Sequence, residues 1–260
     1  MRRGIFHLED KYSFAKKIIK EAADFIKNKM SESLAIQVKS KHDDLVTNVD
    51  QETQDFLISN ILKYYPNDYI LAEEDEVRHP ISDGNVWVID PIDGTVNFVV
   101  QRNHFAIMIA YYEDGVGCFG LIYDVMNDLL LSGGGAFDVY LNDQKIEPYC
   151  HKPLDRSLIG CNAGLYLNND YGVANLISHS LGVRIYGGAG ISMLKVITQE
   201  LIAYISYIQP WDYAAALVIG QKLGYKIQTF ERESPDFQTR QKLMFFPEAE
   251  WKHFESYLDI

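Results

Sequence analysis

Residues 87–98 read Trp-Val-Ile-Asp-Pro-Ile-Asp-Gly-Thr-Val-Asn-Phe. An apolar run ends at Asp90, a proline and an isoleucine follow, and Asp93 leads into a Gly-Thr pair. This order predicts a buried strand that carries two carboxylates to its end, followed by the first turn of a helix. Free N–H groups at a helix start suit an anion, and carboxylates are ligands that Mg²⁺ takes together with substrate phosphate. The stretch therefore indicates a site for a phosphate ester and a metal.

The same stretch has a simpler interpretation as a turn and a helix cap. Asp-Pro and Asp-Gly are common turn pairs. Under this interpretation Asp93 or Thr95 only caps a helix. The rest of the chain has to decide between the two.

The composition limits the class of partner. The chain has 260 residues, of which 47% are apolar and 23% charged, and these are ordinary globular values. The formal net charge is −12 and no Lys/Arg-rich block is present, so nucleic acid is not expected as a partner. An acidic protein can handle phosphates when bound divalent cations reverse the local field.

The cysteines and the apolar runs bear on the compartment. The three cysteines (Cys118, Cys150 and Cys161) form no CxxC pair, and no signal peptide is recognised. This pattern fits reduced thiols and predicts a cytoplasmic protein. No run of about 18 apolar residues is present, so no membrane partner is expected.

Apolar periodicity predicts an α/β protein. Strands are predicted at 36–39, 69–72, 105–112, 116–123, 129–131, 137–140, 157–161, 183–186, 203–207 and 225–230. Helices are predicted at 8–29, 51–64, 171–180, 190–198, 212–223 and 247–258, the first with its lysines facing solvent. Mixed strands followed by alternating units indicate a layered α/β architecture. We expect an N-terminal lobe, 1–142, with most of the acidic site residues, and a C-terminal α/β lobe, 143–260, with Asp212 and a substrate turn.

One stretch imitates a cofactor motif. Gly115–Gly120 matches the pattern GxGxxG. A dinucleotide-binding loop must follow a strand and open a helix. Here the match follows a predicted hairpin turn and continues into a strand, so no dinucleotide loop is predicted.

Acidic residues follow four separate apolar runs, and the sites of α/β proteins collect at strand ends. These residues are Asp50, Glu73 with Glu74, Asp90 with Asp93, and Asp212. Taken singly, the Glu-Glu pair fits a solvated acidic loop, and Asp212 in Pro-Trp-Asp fits a helix cap. Together they indicate one metal site.

Three blocks carry a family resemblance: Ile-Leu-Ala-Glu-Glu at 70–74, Asp-Pro-Ile-Asp-Gly-Thr-Val-Asn-Phe at 90–98, and Trp-Asp-Tyr-Ala-Ala at 211–215. Lys39 and the segment 44–50 agree upstream. In these blocks, and in their order and spacing over nearly the whole length, the chain resembles the inositol monophosphatase family of Mg²⁺-dependent, lithium-sensitive phosphatases.

The resemblance implies a fold and an activity. The fold would be a layered sandwich of α-β-α-β-α order, like inositol monophosphatases and fructose bisphosphatases. The activity would be hydrolysis of a small phosphate monoester of the inositol monophosphate type, by a metal-activated water that attacks in line. Two to three Mg²⁺ ions and a homodimer are expected by the same analogy.

The resemblance also assigns metal ligands. Asp90 would bridge two ions. Glu73 and the main-chain oxygen of Ile92 would complete one ion's site, and Asp93 and Asp212 the other's.

The remaining roles concern water and phosphate. Glu73 and Thr95 would activate the attacking water, with Asp50 orienting Thr95. Behind them would lie Lys39, Thr47 and Glu74. The phosphate and the substrate would be bordered by Asp93, Gly94, Thr95, Asp212 and the turn with Gly188 and Ala189. The glycines of this turn also fit a purely geometric requirement of the helix that follows.

One departure from the family bears on substrate choice. Family members selective for inositol phosphates carry a glutamate shortly before the Trp-Asp pair, whereas this chain has Ile205 and Ser206 there. Alternatives are therefore sugar phosphates and the 2′-phosphate of NADP, alone or together with inositol phosphate. A non-catalytic regulatory relative is a second alternative, against which the intact acidic residues argue.

Overall fold

The protein is described by a computed structural model covering residues 2–31, 35–38, 45–74 and 77–260. The helices are α1 (Arg2–Lys29), α2 (Asn48–Tyr64), α3 (Thr95–Gln101), α4 (Ala163–Leu167), α5 (Val173–Ser178), α6 (Ala189–Ile197), α7 (Pro210–Lys222) and α8 (Trp251–Glu255). The strands are β1 (Ile36–Val38), β2 (Leu45–Thr47), β3 (Tyr69–Ala72), β4 (Asn85–Asp93), β5 (Ala106–Glu113), β6 (Val116–Asp124), β7 (Leu129–Gly134), β8 (Phe137–Leu141), β9 (Gln144–Lys145), β10 (Leu158–Cys161), β11 (Gly182–Arg184), β12 (Ala203–Ile208), β13 (Tyr225–Thr229) and β14 (Gln241–Pro247). No helix in these parts of the chain combines the length and apolarity that a membrane span requires.

Two large sheets and three helical layers build the molecule, and β1 and β2 form a separate two-stranded antiparallel sheet. The seven-stranded sheet has the order β3-β4-β5-β6-β7-β8-β9, and the five-stranded sheet has the order β11-β10-β12-β14-β13. Helices α1 and α2 cover one face of the large sheet. Helices α6 and α7 share a core with both sheets, and α4, α5 and α8 pack on the outer face of the small one. The predicted α-β-α-β-α sandwich is confirmed.

The strands of the seven-stranded sheet lie between residues 69 and 145, and those of the five-stranded sheet lie between residues 158 and 247. The proposed boundary near residue 142 falls in the turn between β8 and β9, which still pair with each other. The small sheet begins at Leu158. Helices α6 and α7 join the two sheets in one apolar core. The division of the chain into two lobes stays a prediction.

Helix α7 approaches the large sheet so closely that glycine is required beneath it. A Cβ atom on Gly120 would lie 2.4 Å from the carbonyl oxygen of Ala215, and one on Gly134 would lie 2.4 Å from that of Val218. The GxGxxG match at Gly115–Gly120 lies at a hairpin, as predicted, and enters strand β6. Its glycine at position 120 serves helix-to-sheet packing.

Four details of the element predictions are wrong. Strand β14 was not predicted, although it lies between β12 and β13 in the small sheet. Its central run, Leu-Met-Phe-Phe, is buried throughout and has no period that identifies a strand. The last helix spans Trp251–Glu255 and not 247–258, and α4 was also missed. Asp50 lies in the first turn of α2, not at a strand end.

Lys11 contradicts the prediction that the lysines of the first helix face solvent. Its side chain is fully buried, and Nζ donates hydrogen bonds to Asp68 Oδ2 and to the Tyr111 hydroxyl, both at 2.5 Å. Trp87 Nε1 donates to the same Asp68 oxygen at 2.8 Å. A buried cation is tolerated only when it is paired. This network therefore fixes α1 against strand β4, which carries the central motif.

We predict that Lys11→Met lowers the free energy of unfolding by about 3–5 kcal/mol, because Asp68 would remain buried without its cation. Urea denaturation measures the loss. The matched control is Lys17→Met on the same helix, where Lys17 pairs with exposed Glu21 at 3.6 Å. This variant should change stability by less than about 1 kcal/mol. Equal losses in the two variants would contradict the structural role of the buried pair.

Candidate active site

A bulge in strand β4 places two aspartates together. Asp90 pairs with Met108 and Asp93 with Ala106, so three steps along β4 match two along β5. Residues three apart in a regular strand point to opposite faces, and a bulge corrects this by adding one residue. Pro91 lies within the bulge, where the missing N–H of proline is tolerated.

A third carboxylate joins from the other end of the chain. Carboxylate oxygens of Asp90, Asp93 and Asp212 all lie within 4.8 Å of one another. Asp212 occupies the first turn of α7, where its Oδ2 accepts a hydrogen bond from Gln209 N at 2.8 Å. Asp212 is not itself the N-cap that the simpler interpretation proposed, because Gln209 holds that position, but its side chain accepts the N–H of this N-cap and also lies near the two aspartates of β4. The same carboxylate can therefore stabilise the start of α7 and belong to the acidic cluster.

The three aspartates hold protons more tightly than ordinary aspartates. Burial, opposed by backbone hydrogen bonds, raises the pKa of Asp93 to about 6. Burial and the charges of Asp93 and Glu73 raise the pKa of Asp212 to about 8. Burial, then Glu73 and Asp93, raise the pKa of Asp90 well above its ordinary value. Each rise in pKa results from burial and from the negative charge of neighbouring carboxylates.

Asp90 provides the test of whether a metal fits. Its Oδ1 is buried and has no hydrogen-bond partner within the described part of the chain. A buried acceptor without a donor is costly unless something outside the chain satisfies it. An oxygen-only ligand set with excess negative charge suits Mg²⁺. The residues therefore fit a divalent cation.

Asp93 connects the motif to the start of α6. Its Oδ1 accepts from Ala189 N at 2.9 Å and its Oδ2 from Gly190 N at 2.8 Å. A Cβ atom on Gly188 would lie 2.7 Å from Asp93 Oδ2, so the glycine allows this close approach. The predicted substrate residues Gly188 and Ala189 do lie at the site, but the N–H of Ala189 faces Asp93. Their contact with substrate stays a prediction.

Thr95 is held by the residue predicted to orient it. Its hydroxyl lies 3.0 Å from Asp50 Oδ1 and 3.2 Å from the Ile92 carbonyl oxygen. Asp50 Oδ2 accepts from Thr47 N at 2.8 Å and from Thr47 Oγ1 at 2.5 Å. Burial raises the pKa of Asp50 to about 6. Gly94, with φ of 88°, turns the chain into α3.

Two predicted glutamates follow strand β3. Glu73 is close enough for its charge to raise the pKa of all three clustered aspartates. Glu74 is buried, and its main chain is clamped by Gln54, which accepts from Glu74 N at 2.8 Å and donates to its carbonyl oxygen at 2.9 Å. Lys39 lies outside the described residues.

Sequence reasoning missed several supporting residues. Asn97 Nδ2 donates to the carbonyl oxygens of His104 (2.9 Å) and Tyr186 (2.7 Å), which joins α3 to the turn before α6. The Arg78 guanidinium stacks 4.5 Å from the ring centroid of Trp211, next to Asp212. Asn97 lies inside the central motif, so its position was a usable signal. No pattern in the sequence around Arg78 or Gln54 marks these two residues as part of the site.

A cavity of about 280 Å³ opens beside the cluster, and Asp93 and Asp212 form part of its wall. A larger cavity of about 1000 Å³ lies between α1 and the β7–β8 hairpin, but none of the clustered aspartates lines it. Of these two cavities, only the smaller is lined by the clustered aspartates. Chemically, this is the site of a phosphoric monoester hydrolase.

Comparison with known proteins narrows this class to a family. A sequence profile described as the inositol monophosphatase family matches residues 7–254. The inositol-1-monophosphatase of Bacillus subtilis (strain 168) is 39% identical over 251 residues, covering 94% of this chain and 95% of that protein. The chain belongs to the inositol monophosphatase family, as its motifs predicted.

Solved structures agree with this assignment. Staphylococcal IMPase-II with bound 2′-AMP is 33% identical, with a TM-score of 0.86 and coverage of 96% of this chain and 95% of that one. An IMPase/NADP phosphatase in complex with Mg²⁺ and phosphate is 25% identical, with a TM-score of 0.89 and coverage of 96% and 95%.

We predict that the stabilisation of the metal-free protein by Mg²⁺ grows as pH rises from about 5 to about 8. The pKa values of about 6 for Asp93 and about 8 for Asp212 lie above the unfolded value of about 3.9. Proton-linked stability is therefore complete below the unfolded pKa and is lost as pH rises through the folded values. Mg²⁺ replaces these protons.

The measurement is the difference in melting temperature with Mg²⁺ and with a chelator at each pH. Asp212→Asn removes one of the titrating groups and should flatten the dependence. An increase in melting temperature that is the same at both ends of the pH range would contradict the prediction.

Proposed function

We propose that this protein hydrolyses small phosphate monoesters of the inositol monophosphate type with the aid of Mg²⁺. The observation that carries the proposal is the cluster of buried Asp90 and Asp93 with half-buried Asp212, in which Asp90 Oδ1 has no partner among the described residues. Structural aspartates are normally hydrogen-bonded or paired with a cation of the chain. This cluster makes sense as a site for cations that come with the substrate's phosphate.

We further propose how the cations are held. Asp90 lies at the centre, with Glu73 and the main-chain oxygen of Ile92 on one side and Asp93 and Asp212 on the other. Two to three ions are proposed. When bound, they supply Lewis-acid polarisation of the phosphoryl group and lower the pKa of a water.

The chain's own part in catalysis begins with Thr95. Thr95 Oγ1 donates a hydrogen bond to Asp50 Oδ1 at 3.0 Å, so a lone pair of Thr95 Oγ1 is left to accept a hydrogen bond from the attacking water. Asp50, with a pKa of about 6, is ionised near neutral pH and holds this orientation. Glu73 is the second group proposed to accept a proton from this water. The proton thus moves toward chain carboxylates while the water attacks phosphorus.

The phosphate is proposed to lie against the start of α3. The first turn of a helix leaves N–H groups without intrahelical acceptors, and these favour an anion. Gly94 and Thr95 would supply them. Asp93 and Asp212 border the same space, and in-line attack would expel the leaving group into the cavity of about 280 Å³.

A second candidate function is hydrolysis of the 2′-phosphate of NADP, alone or in addition to inositol phosphate. The observation that favours it is the cavity wall at Ser206 and Tyr207, which has no carboxylate to bind ring hydroxyls. Relatives bind 2′-AMP in one case and act as an NADP phosphatase in another. Phosphate release from inositol 1-phosphate, NADP and fructose 1,6-bisphosphate would rank the substrates.

The remaining proposals concern the setting of the activity. We propose a homodimer in the cytoplasm and inhibition by Li⁺, following the family resemblance. A non-catalytic regulatory role is the weaker alternative, because the carboxylate cluster is complete. Mg²⁺-dependent turnover that falls with added Li⁺ distinguishes the enzyme from a regulatory relative.

We predict that Asp90→Asn lowers Mg²⁺-dependent phosphate release by more than about 100-fold, since loss of a residue that merely supports ligands already costs 10–100-fold. Inositol 1-phosphate is the assay substrate, and circular dichroism checks the fold. Asp155→Asn, at an exposed position, is the control and should keep full activity. Activity of the Asp90 variant within about tenfold of the unaltered protein would refute the assignment.

A second prediction separates orientation from metal binding. Asp50→Asn is expected to lower kcat by about 10–100-fold at saturating Mg²⁺, because Thr95 loses an anionic hydrogen-bond acceptor. The Mg²⁺ concentration for half-maximal activity should change little. Asp55→Asn, at an exposed position of the same helix, is the matched control. A rise in the Mg²⁺ requirement with unchanged kcat would show that Asp50 acts on the metal.

A further inference from the structure

The cavity beside the aspartates has one cationic residue in its wall. Among the described residues that line it, Arg240 is the only cation, and Asp93 and Asp212 are the only carboxylates. The two acids belong to the proposed metal cluster. Arg240 has no part in that cluster, and the function proposed above gives it no role.

The Arg240 side chain is held in a fixed orientation. Its Nε donates to the Tyr207 carbonyl oxygen at 3.0 Å, and its guanidinium carbon lies 4.5 Å from the centre of the Tyr207 ring. Within the described chain the two terminal nitrogens, Nη1 and Nη2, have no hydrogen-bond partner. A stacked guanidinium of this kind presents a flat edge of N–H donors that matches carboxylate or phosphate oxygens.

The loop that carries Arg240 is anchored beside Asp212. Phe237 N donates to the Tyr213 hydroxyl at 3.1 Å, and the two rings pack edge to face with centroids 5.1 Å apart. Tyr213 follows Asp212 in α7. Arg240 itself immediately precedes β14, whose first residue pairs with Ile208. The backbone on both sides of Arg240 is therefore anchored, on one side to α7, which carries Asp212, and on the other to β12.

The acid nearest in sequence does not use the arginine. Asp236 accepts hydrogen bonds from the Thr239 N–H at 2.9 Å and from the Thr239 hydroxyl at 2.6 Å. The Asp236 carboxylate is therefore bonded within its own loop and not to Arg240. With a net charge of −12 on the whole chain, an available cation in this cavity is a local attraction for an anion.

We propose that Arg240 determines specificity by binding a second phosphate on the leaving group, while the aspartate cluster and its cations hold the phosphate that is hydrolysed. This inference rests on the proposed function. The favoured substrate class is then phosphate monoesters that carry another phosphate, such as sugar bisphosphates or nucleotide bisphosphates. Polyol monophosphates lack the group that Arg240 would bind.

The test compares substrates that differ only in the second phosphate. One pair is 2′-AMP and adenosine 2′,5′-bisphosphate, and the other is fructose 1-phosphate and fructose 1,6-bisphosphate. We expect the bisphosphate to have a kcat/KM about tenfold or more higher in at least one pair, mainly through KM, since the contact is a charge-assisted hydrogen bond. Titration calorimetry on the same pairs gives the binding ratio without requiring turnover.

Variants then assign the effect to Arg240. Arg240→Gln should remove the advantage of the bisphosphate and leave the single-phosphate ester within about twofold, whereas Arg240→Lys should keep part of the advantage. The matched control is Arg232→Gln in the same loop, where Arg232 pairs with Glu255 and does not line the cavity. This control should retain the full advantage.

The outcomes are separable. No advantage for the bisphosphate in either pair, or an advantage that survives Arg240→Gln, overturns the role of Arg240 while the hydrolase function stands. No hydrolysis of any ester with Mg²⁺ overturns the proposed function. In that case the calorimetric ratio still decides whether Arg240 recognises the second phosphate.

Discussion

Repulsion among three clustered aspartates, two of them buried and the third half-buried, is the constraint on which the rest of the structure depends. Asp90 and Asp93 come from one strand, and Asp212 comes from a helix at the other end of the chain, yet their oxygens lie within 4.8 Å of one another. Such a cluster is tolerable only where positive charge or protons compensate it. The helix starts provide part of this compensation, because α6 donates two N–H groups to Asp93 and α7 holds Asp212 in its first turn. The rest is left to cations.

The central helical layer explains why the acids can be held at such short distances. Helices α6 and α7 lie between the sheets, and α7 rests directly on glycines of the large sheet, including Gly120. Behind strand β4, buried Lys11 joins α1 to Asp68 and Trp87. Both sides of the strand that carries Asp90 are thus packed rigidly. The position of the carboxylates is set by this framework and does not depend on the local turn alone.

Features with a local signal could be predicted from the sequence, and features that depend on tertiary contacts could not. Apolar runs and turn residues across residues 87–98 indicate the change from strand to helix. The sequence could therefore predict that Asp90 and Asp93 lie at the same place. The burial of Lys11 was missed although helical spacing places it on the apolar stripe of α1, four residues before Ala15. A lysine is expected in solvent unless it is paired, and its partners Asp68 and Tyr111 are tertiary contacts that no local pattern shows. Strand β14 was missed because a run buried on both faces has no period. Since β14 positions Arg240, the cavity wall was also out of reach.

An acidic protein that acts on anions must concentrate its positive charge where the substrate lies. In this chain, the proposed cations would do so at the aspartate cluster, and among the described cavity residues Arg240 alone would do so beside the leaving group. The two sources differ in kind: the cluster can bind any phosphoryl group, whereas a fixed guanidinium binds only a second anion at the right distance. Catalysis and substrate choice would then reside in different residues. A change in the loop before β14 could alter the preferred ester while the carboxylates and their chemistry stay the same.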